Sequence, residues 1–214
     1  MKILITGFDP FGGETVNPAY EAVKLLPDTI AGAQIIKMEI PTVFSQCGPA
    51  VEAGIREHHP DVVLNIGQAG GRSCVTVERV AVNLAEAGIP DNAGEQPMDQ
   101  PLQPDGPAAY FATIPVKAVV QNVRDHGLPC HLSYSAGTYV CNCVMYNVLH
   151  LAATKYPGLR AGFLHVPYAD FQTAGKPNGT PSASLASIAK ALEYAVEAVA
   201  ASREEVREAM GTTH

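Results

Sequence analysis

The sequence predicts an α/β protein: a single three-layer α/β/α domain over residues 1–214, with a mainly parallel or mixed twisted sheet. Two observations predict it. Short apolar runs alternate with amphipathic segments at helical spacing, the pattern of strands buried under helices on both faces of a sheet. The composition then makes one packed core sufficient. Hydrophobic residues are 47% of 214 and charged residues 16%, which excludes the disordered regime, and a chain of this length buries roughly 70% of its unfolded surface.

Ile3 to Thr6 reads as a buried strand that ends in the loop Gly7-Phe8-Asp9-Pro10-Phe11-Gly12-Gly13. Asn17-Pro18 then opens a helix, because Asn caps well and Pro suits the first helical position. Ala22, Leu25 and Leu26 give it an apolar face, and Pro27 stops it. Ile35 to Ile40 is a second strand, and Phe44 to His58 a helix ended before Pro60. Val62 to Ile66 is a third strand, running into Gly67-Gln68-Ala69-Gly70-Gly71. Cys74 to Leu84 alternates as one strand or hairpin arm, with Val75, Val77, Arg79 and Ala81 on one side. Residues 88 to 107 hold five prolines and three glycines and read as a long loop, a kind of segment that is usually functional or mobile. Val116 to His126 is helical, Leu132 to Tyr134 a short strand, Cys141 to Tyr156 a helix and Gly162 to Val166 a buried strand. From Ser184, the spacing Leu185, Ile188, Leu192, Val196, Val199 marks a long C-terminal helix.

The balance of 14 Lys plus Arg against 21 Asp plus Glu gives a formal charge of -7. Without a basic stripe to displace counterions, a nucleic-acid platform is excluded. No segment approaches the roughly 20 apolar residues that span a bilayer, so no membrane role is expected. The apolar run after Met1-Lys2 is too short for a secretory leader. Five cysteines in a chain of this length point to free thiols and a reducing, cytoplasmic setting.

Ligands of parallel α/β sheets gather at the carboxyl ends of the strands, where helix N-termini converge. Three reactive residues fall there. Cys141 stands at the start of a helix, where backbone N–H groups and the helix dipole favour a thiolate. His165 closes the strand before Pro167. Glu78 is an acid in an apolar strand and needs a partner if buried. Together they could form the nucleophile, base and orienting acid of thiol hydrolysis. Each also has a plainer reading. A lone free cysteine is more often a packed thiol, His165 could be a core histidine bonded to a carbonyl, and Glu78 could pair with a surface base. Cys141-x-Cys143 lacks the spacing of a zinc site, so no metal and no cofactor is expected. The loop from Gly7 to Gly13 fails as a dinucleotide cradle, since it lacks the G-x-G-x-x-G spacing and Pro10 removes a donor. Phe8 and Phe11 suit a small apolar slot instead.

The same segments, taken together, resemble the pyroglutamyl-peptidase I (pyrrolidone-carboxylate peptidase) family of cysteine peptidases. Gly67 to Arg72 followed by Glu78-Arg79-Val80-Ala81-Val82-Asn83 is similar to its glutamate signature. Ser133 to Asn142 with Tyr146 is similar to its cysteine signature, and Gly162 to Tyr168 to its histidine segment. Thr6 to Gly13 with Asn17-Pro18 matches as well. The resemblance implies a metal-free exopeptidase that removes an N-terminal pyroglutamyl (5-oxoprolyl) residue from peptides through an acyl-thioester. It places the nucleophile on Cys141, the base on His165 and the orienting acid on Glu78, and leaves Cys143 out. It puts the ring-binding residues on Phe8 and Phe11, the polar lactam contacts on Asn17 and Gln68, and implies a homotetramer. The residue types agree, because an uncharged lactam needs apolar walls and a few polar groups. Asn17 has a competing role as helix cap. Gly88 stands where the family usually has arginine, with Arg72 a nearby candidate in sequence to supply that charge. Three alternatives remain: a pyroglutamyl-binding relative that does not cleave, a cysteine amidase acting on another small cyclic amide, and a nucleotide-binding enzyme using the first loop.

Overall fold

The computed structural model describes residues 1–201 and 204–210. Its centre is β1 (Lys2–Phe8), whose Ile3, Leu4 and Ile5 are fully buried. A strand with no polar face can only sit inside a sheet covered on both sides. Parallel neighbours flank it, β3 (Ala33–Ile40) on one edge and β4 (Val62–Gln68) on the other. β9 (Arg160–Val166) continues the parallel array beside β4. The two-residue β2 (Thr29–Ile30) closes one side as an antiparallel hairpin with β3. On the other side β5 (Val75–Glu78) runs antiparallel to β9 and parallel to β8 (Cys130–Ser133). The order of the seven strands is therefore β2-β3-β1-β4-β9-β5-β8, a mixed, mainly parallel sheet.

Helices form the outer layers. α2 (Phe44–His58) packs with α4 (Val140–Thr154) on one face. α1 (Pro18–Lys24), α3 (Val116–Asp125) and α5 (Leu185–Ala200) share the other. Asn17 caps α1 through Oδ1, which accepts from Ala19 N at 3.1 Å. α1 also approaches β1 so closely that a Cβ on Gly7 would lie 2.6 Å from Tyr20 Cα, which only glycine permits.

One expected element divides. The arm read as Cys74 to Leu84 breaks at Arg79, after which β6 (Val80–Val82) leaves the main sheet and pairs with β7 (Ala109–Phe111). Arg79 N donates to Ser133 O at 2.7 Å and Arg79 O accepts from Ala112 N at 2.9 Å, so the break keeps its backbone groups paired. A second two-stranded sheet joins β10 (Tyr168–Ala169) to β11 (Ser182–Ala183) across a 3-10 turn, Asp170–Gly175.

Residues 88 to 107 do form a long loop, pinned down at both flanks by side chains. α2 begins at Val43, which offers no capping side chain. The loop supplies the caps instead: Asp91 Oδ2 accepts from Phe44 N at 2.8 Å and Glu95 Oε2 from Ser45 N at 3.1 Å. Acidic groups at a helix N-terminus also complement its dipole. Asn92 Nδ2 donates to Pro10 O at 2.9 Å, and Tyr139 Oη donates to Pro90 O at 3.2 Å.

Candidate active site

The carboxyl ends of β1, β4 and β9 open into a cavity of about 420 Å³ bounded by Phe8, Phe11, Asn17, Gln68, Arg72, Tyr139, Cys141 and His165. All six residues expected on its walls or in its chemistry other than Glu78 border this one space, and Glu78 lies behind it.

His165 and Glu78 meet across the sheet. β5 is antiparallel to β9, with Thr76 opposite His165 and Glu78 opposite Phe163, so Thr76, Glu78, Phe163 and His165 share a face. His165 Nδ1 lies 2.8 Å from Glu78 Oε1, and both residues are buried. An ionised carboxylate only accepts, so Nδ1 carries the ring proton and leaves Nε2 as the basic atom. The same Oε1 takes a second bond from Arg72 at 2.6 Å, while Arg72 also donates to Thr76 Oγ1. Burial raises the proton affinity of Glu78, but His165 and Arg72 outweigh it and hold the carboxyl below its ordinary range. Burial pushes His165 below its ordinary value, with Glu78 opposing. The imidazole is thus neutral at rest and ready to accept a proton.

Cys141 arrives from the helix layer. Tyr139 is the N-cap of α4, so Cys141 sits in its first turn, where backbone N–H groups have no intrahelical acceptor. Gly67 locates the sulfur. A Cβ on Gly67 would lie 2.8 Å from Cys141 Sγ and 2.7 Å from Phe163 Cζ. Gly67 is the parallel partner of His165, so its open face and the His165 ring lie on the same side of adjacent strands, about 4.8 Å apart. The sulfur therefore rests in the space beside the imidazole that a side chain at position 67 would fill. Asn142 fixes this end of α4: its Nδ2 donates to Val82 O at 2.9 Å and Leu84 O at 3.0 Å, and its Oδ1 accepts from Val82 N at 2.9 Å.

Burial works against the thiolate that this helix start could stabilise. Burial, then the nearby Glu78 carboxylate, push the Cys141 thiol up to about 12, and the charge of Arg72 only partly opposes them. Desolvation outweighs the helix terminus here. Thiol and imidazole rest as a neutral pair.

Phe8 is buried against Phe163, with ring centroids 6.5 Å apart, while Phe11 is half-buried and leans on Tyr139 at 6.3 Å. Asn17 spends both ends on the protein, Oδ1 on the cap and Nδ2 on Asp9 O at 3.0 Å, leaving one Oδ1 lone pair for a ligand. Gln68 Oε1 accepts from Gln172 Nε2 at 2.9 Å. Cys143 turns away from the cavity, buried with its sulfur 3.7 Å from that of Cys47. Gly88 is exposed and borders no part of the cavity, whereas Arg72 does. Among the described residues, no group of three or more His, Cys, Asp or Glu could hold a metal ion. Sequence reasoning passed over Asn142 and Gln172 as site residues. Asn142 lay inside the cysteine signature, but nothing in the pattern showed that its amide bridges to β6.

Comparisons with known proteins point to one kind of protein. Residues 1–202 match the family model described as pyroglutamyl peptidase. The pyrrolidone-carboxylate peptidase of Enterococcus faecalis is 56% identical over 214 residues, covering 100% of both chains. That of Levilactobacillus brevis is 57% identical over 199 residues, covering 93% of this chain and 97% of its own. The crystal structure of pyroglutamyl peptidase I from Bacillus amyloliquefaciens superposes with a TM-score of 0.92 at 44% identity, covering 96% of this chain and 99% of that one. Pyrrolidone carboxyl peptidase from Thermococcus litoralis gives 0.92 at 39% identity, covering 98% and 99%.

Proposed function

The chain belongs to the pyroglutamyl peptidase family, and from that premise we propose that Cys141, His165 and Glu78 carry out its reaction. The enzyme is a cysteine peptidase that removes N-terminal pyroglutamate from peptides. The observation that carries the assignment is the His165 Nδ1 to Glu78 Oε1 bond of 2.8 Å beneath a cavity that Cys141 also borders.

In this mechanism Cys141 Sγ attacks the pyroglutamyl carbonyl as its proton passes to His165 Nε2. Glu78 holds the ring in the required tautomer and stabilises the imidazolium. The oxyanion is met by free N–H groups of the first turn of α4. His165 then protonates the departing amine, and the C–N bond breaks to leave a thioester. Water, deprotonated by His165, attacks the thioester carbonyl and releases pyroglutamate and the Cys141 thiol. Because thiol and imidazole start neutral, proton transfer accompanies attack.

Phe8 and Phe11 cover the lactam ring, while Gln68 and Asn17 meet its polar edge. A ring lacking the carbonyl would leave a buried polar group unpaired, which is a strong basis for rejection. Residues 1–214 act as one catalytic domain, supported by a continuous core from β1 to α5. The five cysteines are all free, including the adjacent Cys47 and Cys143, which suits a reducing cytoplasm. Assembly into a homotetramer follows from the family resemblance, and the exposed Leu25, Phe111 and Phe171 offer apolar surface for it. No helix among the described residues is long and apolar enough to cross a membrane.

The test is hydrolysis of pyroglutamyl and prolyl amide reporters by the wild type and C141A. Release from the pyroglutamyl reporter alone, lost in C141A, is expected. Turnover retained by C141A would overturn the residue assignment, and no turnover by the wild type would favour a binding protein.

A further inference from the structure

Gln172 lies on the 3-10 turn after β10, four residues beyond the histidine segment and in none of the motifs described above, and it contacts Gln68 on the wall of the cavity. It is nearly buried. Its Oε1 accepts from the backbone N–H of Ala169 at 2.9 Å, and a backbone N–H can only donate. That contact fixes which end of the amide is which. The Nε2 end must face the other way, where it donates to Gln68 at 2.9 Å. The Gln68 atom receiving it is therefore Oε1, and the Gln68 Nε2 is turned away from Gln172. Gln68 borders the cavity, and its Nε2 makes no hydrogen bond among the described residues.

We propose that Gln172 is a specificity-setting positioning residue: by occupying Gln68 Oε1 it turns the Gln68 amide so that a donor faces the substrate's ring carbonyl. The inference rests on the pyroglutamyl peptidase reading and deepens it. An amide left free to rotate would present its oxygen as readily as its nitrogen, and an oxygen facing a lactam carbonyl is repulsive. The relay Ala169 N–H, Gln172, Gln68 sets the polarity of that wall from a backbone group whose direction cannot reverse.

Gln172→Glu isolates this role from simple capping of the 3-10 turn. A glutamate still accepts from Ala169 N but offers Gln68 an acceptor instead of a donor. Gln68 must then rotate to donate, turning its oxygen toward the ligand. In Gln172→Met the relay is removed and Gln68 can choose either orientation. Glu14 Oε2 lies 3.5 Å from Gln172 Nε2, so E14Q/Q172E is measured beside Q172E to remove like-charge repulsion. KM for a pyroglutamyl reporter and Ki for 2-pyrrolidone should both rise about tenfold or more in Q172E, the loss expected for one reversed buried hydrogen bond. The rise in Q172M should be smaller. The rate at which iodoacetamide alkylates Cys141 without ligand should stay within about twofold, because the nucleophile is untouched. Unchanged KM and Ki in Q172E, an equal rise in Q172M, or alkylation slowed in parallel would overturn the proposal. If Q172E does not fold, Q172M decides: raised KM and Ki with normal alkylation support it, and unchanged values reject it. A wild type inactive on the reporter would instead count against the pyroglutamyl peptidase reading itself.

Discussion

Gly67→Ala adds a single methyl group at the point where β4, β9 and α4 converge, and its effect follows from two distances. The new Cβ would lie 2.8 Å from Cys141 Sγ and 2.7 Å from Phe163 Cζ. Ordinary carbon contacts are about 3.5–4.0 Å, so roughly 1 Å of overlap must be relieved. Phe163 cannot retreat, being fully buried between Phe8 and His165, with ring centroids 6.5 and 4.7 Å away. The sulfur must therefore shift from its place beside Gly67. A displacement of about 1 Å at a reacting atom costs on the order of 10²-fold in rate, and overpacking of this kind costs about 1–3 kcal/mol of stability. The assay is kcat/KM on a pyroglutamyl reporter together with thermal unfolding. Gly88→Ala is the control, because a Cβ there meets nothing within 4 Å. If G67A kept kcat/KM within about threefold of wild type, less than 1 kcal/mol in the barrier, the placement of the sulfur beside Gly67 would be wrong.

Further expected outcomes concern charge and packing. Since burial lowers the proton affinity of His165, the acid limb of kcat/KM should fall below pH 6.5, the ordinary value for this group; a limb above that value would contradict the neutral resting imidazole. For stability the sign is the same. A group whose folded value is depressed contributes above its unfolded value, so the contributions of His165 and Glu78 should be lost as pH falls through the histidine and then the carboxylate range, which urea titrations at several pH values would show. Alkylation of Cys141 by iodoacetamide should keep accelerating through the alkaline range, because its thiol is pushed up to about 12, whereas a preformed ion pair would plateau near neutrality. Asn142→Ala leaves Val82 N and the carbonyls of Val82 and Leu84 without their partner and should cost about 2–4 kcal/mol, read by denaturant unfolding, with kcat reduced as well. Cys143→Ser should leave kcat near wild type, as this thiol faces Cys47 and not the cavity.

The legible parts of the sequence were those in which one residue type reports one constraint. Uninterrupted apolar runs at Ile3, Val62 and Gly162 located the central strands because only double coverage tolerates them. Asn17-Pro18 located a helix start through capping chemistry, and the apolar spacing from Ser184 located the C-terminal helix. The break at Arg79 was hidden, since alternation continues across it and the change of sheet depends on pairing with distant Ser133 and Ala112. For the site, the helix start suggested that a thiolate could be stabilised at Cys141, but how far the half-buried sulfur is desolvated is a property of its packing beside Gly67. The two-residue strands β2, β10 and β11 carry too few side chains to show a period. Gln172 was illegible for a related reason: its role lies in which amide atom faces which, and that is fixed by one backbone N–H.

In the proposed mechanism one sulfur carries the acyl group while His165 moves the proton. Acid-quenched mass spectrometry during turnover of a pyroglutamyl ester or amide tests it most directly. A peptide containing Cys141 and heavier by one pyroglutamyl group is expected, and its absence in C141A. Steady turnover with that peptide always unmodified and the acyl group found on another residue would contradict it.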